Sequence, residues 1–168
     1  MCGLVGDAPR ASRQFAAICG TRRGASTTRH ESGGVIPTHQ IENFNGGARQ
    51  YSSAALAFLG DGVFELLVRE RLLCSGGMKV GKMHTLSVEH VNAAAQAKAY
   101  HALLPVCSPE EADILKRGRN SNTTKAPKSV TVEEYRKATG VEALFGYLYL
   151  EGKTERIREL FEIVWAIM

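Results

Sequence analysis

Two carboxylates stand alone in an otherwise uncharged stretch of this chain. Between residues 53 and 68 the only charged side chains are Asp61 and Glu65, and their spacing places both on one face of a helix. Asp61 is flanked by Gly60 and Gly62, although each glycine costs a helix interior about 1 kcal/mol relative to alanine. This pattern predicts that another backbone, or a phosphate group, comes close to Asp61.

Glu65 has a second interpretation, because Arg69 follows it at the same helical spacing. An ion pair at the surface would account for Glu65 without any chemical role, and we favour the ion pair for this residue. Asp61 has no basic residue three or four positions further along the chain. A chemical role is therefore better supported for Asp61 than for Glu65.

A third carboxylate lies in a second apolar segment. Glu142 is the only charged residue between positions 138 and 150, and a carboxylate buried there needs a cation or a proton. If Asp61 and Glu142 face each other on neighbouring helices, a divalent ion would offset their repulsion, and oxygen ligands favour Mg²⁺. Periodicity alone does not show that the two acids meet.

The segment from Lys116 to Val130 combines positive charge with hydrogen-bonding side chains and contains no acid. We predict a loop that contacts the phosphates and 2′-hydroxyls of double-stranded RNA, which proteins recognise mainly by shape. An ordinary solvated loop is the alternative. The candidate RNA-binding residues are Lys116, Arg117, Arg119, Asn120, Lys125 and Lys128.

Composition divides the chain near residue 50. Residues 1–50 hold eight of the 17 glycines, six arginines, three acids and no lysine. They show no helical apolar period, so we expect a flexible leader whose deletion leaves folding and activity largely intact. An arginine-rich, acid-poor segment also fits an organelle transit peptide, and a non-native extension is a further alternative. The four scattered cysteines favour free thiols in a reducing compartment.

From residue 51 to 168 the apolar spacing is helical, which predicts one all-α domain built as a helical bundle. Ser108 and Thr131 open the patterns of two capping boxes, and Pro109 suits a first helical position. No apolar run reaches the roughly 18 residues of a membrane span. The predicted helices cover residues 52–73, 87–104, 131–150 and 154–168, with another beginning at 108. The apolar face of the first comprises Leu56, Leu59, Val63, Leu66 and Leu67.

These segments carry a family resemblance over residues 51–165. FLGDGVFELLVR (58–69) resembles the signature helix of the ribonuclease III family, and ATGVEALFGYLYL (138–150) resembles that family's second acidic helix. KRGRNSNTTKAPK followed by YRKATGVEALFGYLYL is similar to Mini-ribonuclease III, the short form without an RNA-binding domain. In the stretch between these segments, the family resemblance is carried by His84, Ser87, Val88 and Ala95-Gln96-Ala97.

The resemblance implies a homodimeric endoribonuclease that cuts double-stranded RNA with magnesium and leaves 5′-phosphate ends. Asp61 matches the catalytic aspartate and Glu142 the second metal-binding acid, so both are candidate catalytic and metal-binding residues. Two further acids of the full-length enzymes would fall at Ala57 and Thr139. Their absence puts a two-metal site in doubt and makes Glu65 a candidate ligand, directly or through water.

The implied task is the processing of precursor ribosomal RNA, of the 23S maturation type. We expect it in the cytoplasm, or in an organelle if residues 1–50 are a transit peptide. Because 26 residues follow Glu142, we expect no appended double-stranded-RNA-binding domain.

Two other functions compete with the active nuclease. A catalytically inactive ribonuclease III-like subunit would bind RNA in a ribosomal or RNA-processing assembly, but the presence of both Asp61 and Glu142 argues against it. An unrelated helical interaction protein with structural acids would show no affinity for duplex RNA at low salt. Cleavage that requires magnesium would separate these alternatives from the nuclease.

Overall fold

The computed structural model of the chain describes residues 47–121 and 130–168. Within these ranges a 3-10 turn at Ala48–Gln50 precedes six α-helices, and no β-strand occurs. The prediction of an all-α fold is confirmed. The helices are α1 (Ser53–Cys74), α2 (Val80–Val91), α3 (Ala93–Leu103), α4 (Pro109–Arg119), α5 (Val132–Leu150) and α6 (Thr154–Trp165).

Local signals set most of the helix ends. The Ser108 hydroxyl accepts a hydrogen bond from the Glu111 backbone N–H, and the Glu111 carboxylate accepts one from the Ser108 N–H. Thr131 and Glu134 form the same capping box at the start of α5. Each box satisfies backbone donors that a helix start leaves without partners. The predicted starts of α4 and α5 are therefore confirmed.

The prediction of one helix over residues 87–104 is wrong. The structure has two helices there, separated at Asn92, whose backbone is extended with ψ 156°. The Asn92 side-chain oxygen accepts a hydrogen bond from the Ala95 N–H at 2.9 Å and so caps α3. Asparagine is among the preferred N-cap residues because it offers this bond. The first of the two helices begins at Val80, earlier than predicted.

Helix α5 forms the centre of the bundle. It packs most extensively against α1, α3 and α4, and its residues 143–148 are all buried. Phe64 of α1 makes edge-to-face ring contacts with Phe145 of α5 at 5.2 Å and with Phe161 of α6 at 5.8 Å. This aromatic cluster fixes α1 and α5 in the core that positions the two acidic segments.

The predicted apolar face of α1 is only partly right. Leu56, Val63 and Leu67 are buried, but Leu66 is 47% exposed. It lies on an outward stripe with Phe58 and Leu73, which are 87% and 67% exposed. Helix α1 thus has a second, exposed apolar face.

Residues directly before α1 contact the bundle. Ala48 is fully buried, and its N–H donates to Glu151 Oε1 at 2.7 Å. Arg49 pairs with Asp113 at 2.8 Å. The predicted domain boundary near residue 50 stays a prediction, and residues 1–46 lie outside the described ranges. No helix in the part of the chain that the structure describes is long and apolar enough to cross a membrane.

Candidate active site

The crossing of α1 and α5 is built on glycines. A β-carbon on Gly60 would lie 2.6 Å from the carbonyl carbon of Glu142, and one on Gly146 would lie 3.0 Å from the carbonyl carbon of Leu56. Each β-carbon would also overlap a backbone carbonyl oxygen, that of Glu142 for Gly60 and that of Leu56 for Gly146. The two backbones therefore meet only because these positions lack side chains. The prediction that a backbone approaches Gly60 is confirmed.

Gly62 differs from Gly60, although both flank Asp61. A β-carbon on Gly62 would have no described atom within 4 Å. The packing described for α1 therefore gives no reason for glycine at this position. Gly62 lies on the same outward stripe of α1 as Phe58 and Leu66, each four residues away.

Asp61 and Glu142 come together at this crossing. Burial and the negative charge of Asp61 raise the pKa of Glu142 from 4.5 to about 7. Burial, and then the charge of Glu65, raise the pKa of Asp61. When two carboxylates repel each other, the more buried one takes the proton first, and here that is Glu142. Sequence patterns located both acids, and the tertiary structure brings them to one place.

Within the described ranges neither Asp61 nor Glu142 forms an ion pair with a basic residue. Two neighbouring oxygen donors without a cation suit a hard divalent ion such as Mg²⁺, which is usually held by one or two carboxylates with waters completing its shell. The donor set therefore fits such an ion, and Asp61 and Glu142 would hold it.

Glu65 forms an ion pair with Arg69. The Arg69 Nη2 donates to Glu65 Oε1 at 2.6 Å, which is the ion pair that the sequence offered as the alternative to a metal ligand. Among the residues that the structure describes, no group of three or more His, Cys, Asp or Glu side chains could hold a metal ion. Glu65 as a further metal ligand stays a prediction.

The two positions at which the family resemblance would place further acids, 57 and 139, are buried. Ala57 is 6% exposed, and so is Thr139, whose hydroxyl donates to the Tyr135 carbonyl at 3.0 Å. Neither side chain can supply a carboxylate. The site therefore rests on the pair Asp61 and Glu142.

Gln96 of α3 also belongs to this site, and residue chemistry did not single it out from the sequence. Its side chain is 1% exposed, and its amide faces Glu142 closely enough to lower the pKa of that carboxylate. The Nε2 atom nevertheless makes no hydrogen bond of ordinary geometry to any described residue. The Gln96 amide and the Glu142 carboxylate are therefore neighbours that do not form a hydrogen bond of ordinary geometry. In the sequence Gln96 is an amide within the alanine-rich segment of residues 93–97, and it belongs to the Ala95-Gln96-Ala97 stretch of the family resemblance.

The prediction of a loop from Lys116 onward is wrong for its first residues. Lys116, Arg117 and Arg119 form the last turn of α4, and Asn120 caps that helix. Basic side chains are favourable there because they offset the negative end of the helix dipole. The side chains of Lys116, Arg119 and Asn120 are exposed and that of Arg117 is partly buried. Lys125 and Lys128 lie outside the described residues.

The end of α4 packs closely against the backbone of α5. A β-carbon on Gly118 would lie 2.7 Å from the Gly140 Cα, and one on Gly140 would lie 2.7 Å from the Leu115 carbonyl oxygen. This contact is two residues before Glu142 in α5. Residues 140 and 142 lie about 200° apart around a helix, so α4 packs on a different face of α5 from the one that carries the Glu142 side chain. Lys137 and, by a smaller effect, the Arg119 side chain instead lower the pKa of Glu133.

Comparison with known proteins agrees with the sequence pattern. The family model of the Ribonuclease III domain matches residues 54–153. Mini-ribonuclease 3 of Symbiobacterium thermophilum is 46% identical over 107 residues, which are 64% of this chain and 82% of that protein. Mini-ribonuclease 3 of Thermosynechococcus vestitus is 39% identical over 130 residues, covering 77% and 78%. A crystal structure of a Fusobacterium nucleatum protein superposes with a TM-score of 0.64 at 36% identity, covering 70% of this chain and 94% of that one.

Proposed function

This chain belongs to the ribonuclease III family, among the Mini-ribonuclease 3 proteins, and is an endoribonuclease; we propose that it cuts double-stranded RNA with magnesium, as a homodimer. The proposal depends on one observation. Asp61 and Glu142 lie close together, and no basic residue in the described ranges pairs with either of them. Two acids that repel each other destabilise the fold unless a positive charge joins them. A divalent ion such as Mg²⁺ would supply that charge.

A divalent ion held there would lower the pKa of a water molecule and offset the charge that develops on the phosphate. The chain's own contribution is to place Asp61 at the exposed surface of α1 and Glu142, partly buried, on the neighbouring α5. The Gly60 and Gly146 contacts fix the separation of the two helices. An RNA phosphate can therefore approach from the side of Asp61 without any rearrangement of the core.

The basic end of α4 supports RNA as the substrate. Lys116 and Arg119 are exposed, and the packing of Gly118 on Gly140 fixes their helix against α5, the helix that also carries Glu142. Exposed positive side chains attract a polyanion and release its counterions. We expect Lys125 and Lys128, which follow along the chain, to add to the same surface.

The exposed stripe of α1 supports a homodimer. Phe58, Gly62, Leu66 and Leu73 follow one another at helical spacing. Phe58 alone leaves 87% of its surface in water, and large exposed apolar side chains grouped on one face usually mark an interface. A two-fold dimer through this stripe would present two Asp61 carboxylates, matching the two antiparallel strands of a duplex.

The substrate and location proposals rest on family membership alone. Relatives named Mini-ribonuclease 3 match 64% and 77% of this chain, and precursor ribosomal RNA, of the 23S maturation type, is the proposed substrate. The cytoplasm is the proposed location.

The deciding experiment incubates the full chain with a long RNA duplex, with magnesium and with EDTA. We expect endonucleolytic cleavage only with magnesium. Asp61→Asn and Glu142→Gln should each abolish cleavage but retain duplex binding, because each removes a charge and little volume. Glu65→Gln serves as the matched control. It should lose activity partially at most, since the Glu65 carboxylate already forms an ion pair with Arg69.

Two other outcomes would contradict the proposal. Duplex binding without cleavage in the unmodified chain would favour the inactive RNA-binding subunit. Cleavage at unchanged rates in Asp61→Asn or Glu142→Gln would refute the assignment of the site.

A further inference from the structure

Gln96 is buried with a hydrogen-bond donor that has no partner. Its side chain is 1% exposed, and Nε2 makes no hydrogen bond to residues 47–121 or 130–168. Two other buried polar side chains differ, since Glu111 pairs with Arg156 and Thr139 bonds to Tyr135. A buried donor without a partner costs about 1–3 kcal/mol. Such a cost calls for a state of the protein in which the donor is used.

The neighbour of this donor is the Glu142 carboxylate. Helix α3 packs on α5, and the Gln96 amide stabilises negative charge on Glu142. A carboxylate has two oxygens and about four lone-pair directions, so it can bind a cation and accept a hydrogen bond together. Protein carboxylates that bind metals are themselves hydrogen-bonded by a second group, which sets their orientation.

We propose that Gln96 is the positioning residue of the cation site, and that its Nε2 donates to the ionised Glu142 carboxylate when a divalent ion is bound by Asp61 and Glu142. This inference rests on the proposed function, because it requires the cation site. Ion binding keeps Glu142 charged, and a charge-assisted hydrogen bond is roughly twice as strong as a neutral one. The hydrogen bond formed on ion binding therefore offsets the free-energy cost of the unpaired donor in the ion-free protein.

Gln96→Met tests the inference, because methionine has nearly the same volume and no donor. With EDTA present, its unfolding free energy should equal or exceed that of the unmodified chain, since an unpaired buried donor has been removed. Its affinity for Mn²⁺ or Mg²⁺, measured by calorimetry without RNA, should fall about 10- to 100-fold. The magnesium concentration for half-maximal cleavage should rise by a similar factor, while the rate at saturating magnesium changes less.

Two further variants sharpen the test. Gln96→Asn keeps the amide but withdraws it by one methylene, so it should also weaken ion binding. Thr139→Val is the matched control, because it removes a buried hydroxyl on α5 that already has its partner in Tyr135. Its ion affinity should remain unchanged.

The outcomes separate this inference from the proposed function. Ion binding that is lost in Asp61→Asn but unchanged in Gln96→Met and Gln96→Asn would overturn the role of Gln96 alone. Loss of folding stability in EDTA with unchanged ion affinity would show a packing role only and would also overturn it. An unmodified chain that binds no divalent ion would overturn both proposals together.

Discussion

The backbone of Gly60 in α1 lies directly against the backbone carbonyl of Glu142 in α5, with no space for a β-carbon between them. This contact brings the helix that carries Asp61 to the helix that carries Glu142. It also makes one of the two glycines beside Asp61 a packing requirement, whereas Gly62 faces open space in the described structure. The two glycines therefore form a matched pair for mutation.

Gly60→Ala should destabilise the fold, because a methyl group would force α1 and α5 apart. Overpacking of this kind costs about 1–3 kcal/mol. Gly62→Ala should instead be neutral or stabilise by up to about 1 kcal/mol, since alanine favours helix and nothing obstructs it. Urea unfolding at concentrations where sedimentation shows monomer would measure both. Equal destabilisation by the two changes would contradict the open surface at Gly62.

Glu142→Gln should change how stability depends on pH in the presence of EDTA. The pKa of Glu142 is raised from 4.5 to about 7 by burial and by Asp61, so the folded state holds the proton more tightly than the unfolded state. The contribution of Glu142 to stability is therefore fully present below pH 4.5 and is lost as the pH rises to about 7. At 1.36 kcal/mol per pKa unit the fall amounts to about 3 kcal/mol.

The glutamine variant stays neutral and should lose this fall, so it should be more stable than the unmodified chain at pH 8 and similar to it at pH 4. Adding magnesium at pH 8 should stabilise the unmodified chain and leave Glu142→Gln unaffected, because a ligand stabilises only the state that binds it. Parallel pH profiles for the two proteins would be inconsistent with a buried, ionisable Glu142.

Two deletions should separate the leader from the domain. Removing residues 1–46 should leave stability and cleavage unchanged, since the family match begins at 54. Removing residues 1–50 also deletes the hydrogen bond from Ala48 to Glu151 and the ion pair of Arg49 with Asp113. We expect folding to persist with a loss of about 1–2 kcal/mol. Thermal unfolding compares the two, and insolubility of the shorter deletion would show that the leader belongs to the domain.

Arg117→Ala with Arg119→Ala should weaken binding to RNA duplexes of any sequence. Each lost phosphate contact flattens the plot of log affinity against log salt by roughly one unit, so a dimer could lose up to about four. Cleavage at saturating RNA should fall less, because the acidic pair lies on other helices. Lys79→Ala with Lys82→Ala is a control of equal charge on α2. An unchanged salt slope in the α4 variant would place the RNA surface elsewhere.

Local chemistry made much of the helical pattern predictable from the sequence. Ser108 with Glu111 and Thr131 with Glu134 mark helix starts because each pair bonds to backbone groups within one turn. The isolated charges of Asp61 and Glu142 also stood out, since a lone acid in an apolar segment requires an explanation. Asn92 was overlooked because the alanine-rich residues around it favour helix, and its role as a cap depends on one specific bond.

What the sequence determined by itself was the helical fold, the two acids and the family, because these depend on residue types at fixed spacing along one chain. The tertiary structure decided which groups meet. Gly60 contacts the backbone of α5 while Gly62 does not, and Gln96 reaches Glu142 from a third helix. Such neighbours are far apart in sequence, and only the packing of helix against helix brings them together.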